Sequence, residues 1–194
     1  MLDDLLEEEL DINNEEYNKI NISNKVLNNK SINDTTFTES ILINSTFDNI
    51  LLENVTFTNC DLSNISFQEC SFKNCLFDNC KLLGSYFNKC YFLDIEIKDS
   101  MAKLINITES KIKKLSIINT LLSEGNFYNN EIKKMELDKD NLSKCDFYQT
   151  SLKGVDVSTC DITNIKIGPN DMKGMIIDQL QAIDLITYLE VKIK

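Results

Sequence analysis

The sequence predicts an all-β fold, a square β-helix followed by a C-terminal α-helix, and two observations predict it. A large apolar residue recurs every five positions through almost the whole chain. A small residue stands two positions before it, and all seven cysteines fall in that class. A period of five is neither the 3.6 of a helix nor the 2 of a strand, so the chain is read as an internal repeat.

The large class runs from Ile22, Leu27 and Ile32 through Phe57, Phe67, Phe72, Phe77 and Phe87 to Ile167, Met172 and Ile177, with Ala102 as its one small member. Side chains two apart on an extended chain point the same way, so both classes share the inward side. The Asn, Asp, Ser, Thr, Lys and Glu between them suit turns and solvent. Each pentapeptide then supplies one extended piece and one corner. Four pieces close a coil of about twenty residues, and coils stack at ~4.8 Å. Phenylalanine and leucine fill the middle, which leaves room only for small neighbours.

That packing explains Cys60, Cys70, Cys75, Cys80, Cys90, Cys145 and Cys160 as small buried core residues whose burial makes the thiols inert. No Cys-x2-Cys spacing points to a metal. The other reading is a disulfide between Cys60 and Cys80 or between Cys70 and Cys90, which stack twenty residues apart.

The chain has 194 residues, no His, Trp or Arg, and a formal net charge of −11. Without an imidazole, a Gly-rich phosphate loop or a nucleophile–base pair, the sequence points away from an enzyme, and no cofactor is expected. No signal-peptide core or membrane-length apolar run occurs, and the odd number of cysteines points to the cytoplasm.

Three segments follow: an acidic cap or tail at 1–18, the β-helix at 19–178, and a helix with its tail at 179–194. The acidic start is either a cap on the first coil or a charged arm for a partner. At the other end Leu180, Ile183, Ile186 and Leu189 have helical spacing, and the helix either seals the stack or dimerises. Between 115 and 140 the small class turns irregular, with Leu115, Gly125, Asn130, Met135 and Asp140. The expectation is a locally distorted coil in which Asn130 and Asp140 bond to nearby backbone; the alternative is a ledge for a partner.

Stacking at twenty residues sorts the charges. Lys113, Lys133, Lys153 and Lys173 form a basic stripe, with Lys111, Lys114 and Lys134 beside it. Glu96, Glu136, Asp138, Asp156 and Asp178 gather on the adjacent face. The two stripes either neutralise each other in part, or present a partner-binding surface.

This frame resembles the pentapeptide-repeat family over residues 20 to 178, which implies a right-handed, four-sided β-helix. Within it, "LDIEIKDSMAKL" at 93–104 and "CDITNIKIGPNDMKGMIIDQLQAIDLITYLEV" at 160–191 are similar to the quinolone-resistance, gyrase-directed members. That resemblance implies a homodimer through Leu180, Ala182, Ile183, Ile186 and Leu189. It also implies a DNA-like protein that binds DNA gyrase or topoisomerase IV without binding nucleic acid, and fluoroquinolone tolerance as the outcome. About eight coils make a rod of roughly 40 Å, so a dimer spans about 80 Å. It would carry a net charge of about −22, where duplex DNA of that length carries on the order of 47 negative charges. The other function considered is a structural or scaffolding solenoid without topoisomerase activity.

Overall fold

Five residues make one straight side of the coil only if the chain can turn sharply at the end of each. In the computed structural model, which describes residues 11–186, the turn is made by one left-handed residue in most pentapeptides. Half of the 26 non-glycine residues with positive φ are asparagine, with φ of 50–60°. Asparagine tolerates this region better than most L-residues, which accounts for its abundance in the chain. Its amides also tie the corners together: Asn79 Nδ2 donates to Asn59 Oδ1 at 2.6 Å, and Asn74 Nδ2 to Asn54 Oδ1 at 2.7 Å.

The strands pair parallel and in register at an offset of twenty residues, from Ile12 on Ile32 to the bridge of Asp156 with Ile176. Backbone bonds join each coil to the next, as in Leu62 N–H to Lys81 O at 2.7 Å. The first coil begins earlier than the boundary at residue 19. Ile12 is buried and Tyr17 stacks on Phe37 at 5.2 Å, because both belong to the large inward class. Residues 1–10 lie outside the described residues.

The interior is a set of phenylalanine columns. Phe37, Phe57 and Phe77 stack with centroids 5.0 Å apart and planes within 9°. Phe67 stacks on Phe87 at 4.9 Å and Phe72 on Phe92 at 5.4 Å. These rings are all buried.

The small class does more than fit the space left over. Ser85 Oγ donates to Leu62 O at 2.8 Å, Cys80 Sγ to Phe57 O at 3.3 Å, and Cys145 Sγ to Leu122 O at 3.1 Å. Each bond reaches back 23 residues to the previous coil. In the other direction the N–H of Cys80 donates to Ser100 Oγ at 2.9 Å. The thiols therefore bridge coils as weak donors, and all seven are free and buried. Burial pushes Cys70 and Cys145 up to about 12 and Cys75 up to about 11. Cys80 is pushed up by its hydrogen bond to Cys60 and by burial. Such thiols stay protonated at neutral pH.

Candidate partner-binding faces

Two neighbouring faces carry the charged residues. The first, here the lysine face, is built on the ladder Ser31–Asn33, Leu51–Glu53, Ser71–Asp78, Tyr91–Lys98 and Lys111–Ile118, and ends at Glu131–Ile132. The second, the acidic face, follows it around the corner in every coil. Leu76, Glu96, Ser116 and Glu136 form one of its outward columns, and Asp78, Lys98, Ile118 and Asp138 another.

The structure brings Glu96, Glu136, Asp138 and Asp156 to the acidic face, but each is held differently. Glu96 lies 3.9 Å from Lys98, which also reaches Asp78 at 3.4 Å. Glu136 pairs with Lys134 at 2.6 Å, and that hydrogen bond holds its carboxyl below the usual range. Asp138 Oδ1 accepts from Thr159 Oγ1 at 3.0 Å. Asp156 Oδ1 accepts from the N–H of Ser158 at 2.9 Å, and the bonds to Ser158 lower its carboxyl too.

Asp178 does not belong with them. Its Oδ1 accepts from the N–H groups of Leu180 at 2.7 Å and Gln181 at 2.8 Å, which makes it the N-cap of the helix Gln179–Ile186. Gln181 Oε1 accepts in return from the N–H of Asp178 at 3.0 Å, completing a capping box. The signal was present in Asp178-Gln179-Leu180-Gln181, whereas the charge alone suggested a surface role.

The lysines do not sit in one regular row. The ladder slips at Leu93, which faces Lys114 instead of Lys113. Lys114 and Lys134 are also absent from the left-handed corners that the neighbouring coils use. The corner opens there into a cleft of about 450 Å³ floored by Ile132, Met135 and Leu137 and edged by Lys133, Lys134 and Lys153. Lys114 pairs with Asp94 at 2.6 Å, and Lys173 donates to Asn170 Oδ1 at 2.8 Å. Among the described residues Lys111, Lys113, Lys133 and Lys153 have no ion pair. The two stripes thus meet at one place, Lys134 with Glu136, and mutual neutralisation is much less than the stacking alone suggested.

The stretch 115–140 keeps the coil. Leu115 and Met135 are buried, and at Gly125 a Cβ would stand 2.8 Å from the Leu122 carbonyl. Asn130 Oδ1 accepts from the N–H of Ser110 at 2.9 Å while its Nδ2 donates to Ile107 O at 2.7 Å. Asp140 accepts from the N–H groups of Thr120 at 2.8 Å and Asp138 at 3.2 Å. Both polar side chains therefore find backbone partners. Within this stretch the departure from regularity lies at Lys134, whose corner is not left-handed.

The helix docks on the end of the stack through Gln181, whose Nε2 donates to the carbonyls of Val157 and Cys160 at 2.8 Å each, and through buried Leu185. Leu180 is 75% exposed and Ile183 54%, while Ala182 and Ile186 are half-buried. Leu189 lies outside the described residues. Among the described residues no helix is long and apolar enough to cross a membrane, and no three metal-ligating side chains converge.

The register of twenty and the inward pair in every side are the decisive observation. A family model described as a pentapeptide repeat region matches residues 70–142, and one described as pentapeptide repeats matches residues 31–68. The chain belongs to the pentapeptide-repeat family. Among solved structures it is similar to two trypsin-treated variants of QnrB1, a plasmid-mediated fluoroquinolone resistance protein. The first has 19% identity over 92% of this chain and 100% of that one, with a TM-score of 0.57. The second has 20% identity over 92% and 99%, with a TM-score of 0.52. These likenesses concern the fold. No curated protein matches the chain.

Proposed function

We propose that this pentapeptide-repeat protein is a non-enzymatic DNA mimic that binds a type II topoisomerase, DNA gyrase or topoisomerase IV, and gives tolerance to fluoroquinolones. The observation that carries the reading is the acidic face. Asp78, Glu96, Glu136, Asp138 and Asp156 stand outward on one flank of a straight rod, as phosphates stand along a duplex. The fold shared with a fluoroquinolone resistance protein supports it. The four unpaired lysines favour a second reading, a scaffolding solenoid that binds some other protein.

Affinity for gyrase should fall steeply with salt, because the contact is between an acidic rod and a basic DNA-binding surface. In a titration at two salt concentrations, Glu136→Gln with Asp138→Asn and Asp156→Asn weakens binding. Neutralising Lys113, Lys133 and Lys153 strengthens it or leaves it unchanged. Absence of binding even at low salt leaves only the scaffold.

The protein in this reading is a homodimer joined end to end through the exposed helix face. Leu180→Glu with Ile183→Glu should then halve the mass found by light scattering while far-ultraviolet circular dichroism stays unchanged. A retained dimer places the interface elsewhere.

A further inference from the structure

The lysine face divides its charge along its length, and the division is self-complementary. We propose that two copies of this chain associate side by side and antiparallel through this face, in addition to any contact at their ends. The required two-fold axis lies in the interface, parallel to the strands, between the levels of Ser71–Asp78 and Tyr91–Lys98. An isologous contact of this kind places each level of one copy opposite a fixed level of the other. Levels follow from the offset of twenty residues.

Working outward from the axis, Lys73 meets the level of Asp94, Glu53 that of Lys113, Asp34 that of Lys133, and Asp11 that of Lys153. All four levels join opposite charges, and symmetry repeats each one. Position by position, Glu53 comes opposite Lys113 and Asp34 opposite Lys134, while Lys111 comes opposite Leu51 and Glu131 opposite Ser31. At the levels next to the axis, half-buried Tyr91 and Leu93, which is 40% exposed, stand beside the charges of Lys73 and Asp94.

The face offers such a contact a parallel ladder that is in register from Ser31–Asn33 to Tyr91–Lys98 and slips by one residue where Leu93 faces Lys114. It also explains why Lys113, Lys133 and Lys153, left without partners in their own copy, are tolerated in an otherwise acidic protein. The face is roughly 40 Å by 13 Å from strand geometry, about 500 Å² per copy. That lies at the low end for specific interfaces, so the association is reversible and depends on salt.

Sedimentation velocity tests this in the Leu180→Glu/Ile183→Glu background, which removes the end-to-end contact so that the two modes are read separately. The background protein associates at about 10 mM salt, where the screening length is roughly 30 Å, and dissociates at about 1 M, where it is roughly 3 Å. Its dissociation constant should rise at least about tenfold between the two. Lys113→Glu with Lys133→Glu reverses the charges set against the levels of Glu53 and Asp34 and yields a monomer at low salt. Asp34→Lys with Glu53→Lys reverses the charges on the other half and also yields a monomer; lysine already takes the same left-handed conformation at other corners of the coil, Lys89 and Lys139. Mixing the two monomeric variants restores a heterodimer. Association that survives either reversal, or a mixture that stays monomeric, overturns the proposal. So does a background protein that remains monomeric at low salt and instead binds a DNA duplex through Lys113 and Lys133.

Discussion

Phe77→Ala lowers stability by roughly 3–5 kcal/mol, the usual range for truncating a buried phenylalanine. Phe77 is fully buried, stacks on Phe57 at 5.0 Å and 8°, and meets the edge of Phe87 at 6.2 Å and 90°. Its loss opens a cavity in the middle of the rod and removes aromatic contacts worth about 0.5–1.5 kcal/mol per pair. In a solenoid each coil is supported only by its neighbours, so the gap cannot be closed by remote repacking. Phe147, which stacks only on Phe127 at 4.7 Å among these rings, should lose less. Urea unfolding is the measurement, with the midpoint falling and the slope retained. A loss below about 1 kcal/mol, well under the range for a core ring, contradicts the packing account.

Asp140→Asn raises stability at pH 8 and leaves it unchanged near pH 4. Asp140 is 2% exposed, and burial pushes its carboxyl from 3.8 up to about 7, with the charge of Asp138 adding to the shift. Its folded pKa is therefore above its unfolded value, and the native state holds the proton more tightly. The contribution to stability is fully present below about pH 4 and is lost as pH rises through about 7. A shift of that size corresponds to about 2–4 kcal/mol at pH 8. The variant escapes this loss because an amide is already accommodated two corners away. Asn130 accepts from the N–H of Ser110 and donates to Ile107 O, and an amide at 140 would bond in the same way to Thr120 N–H and the Ile117 carbonyl. Thermal melts of both proteins between pH 4 and 8 give the difference. Wild type more stable than the variant at pH 8 would show that the ionised carboxylate is favourable where it lies.

The sequence carried the middle of the core. Phe57, Phe67, Phe72, Phe77, Phe87 and the cysteines Cys60, Cys70, Cys75, Cys80 and Cys90 could be placed inside from their phase alone, because inward direction follows from spacing in an extended chain. Start and end were harder to read. Ile12 and Tyr17 share the phase of the core but sit among acidic residues, so their neighbours concealed the first coil. Asp178 has the charge of its face and the position of a cap, and position prevails because the first N–H groups of a helix lack partners.

The surface was decided in three dimensions. Stacking at a fixed offset places Lys113 and Lys133 in one row, yet whether a lysine finds a carboxylate depends on corner conformation and a register slip of one residue. Those are features of the folded backbone and leave no periodic mark in the sequence. The chain by itself determined a four-sided rod with a known inside, because burial of apolar side chains at one phase leaves a single way to coil. Which charges stay unpaired on its outside, and where the helix turns Leu180 and Ile183 to solvent, only the tertiary structure decided. Those outcomes hang on single hydrogen bonds between residues distant in sequence, such as Gln181 to Val157 O.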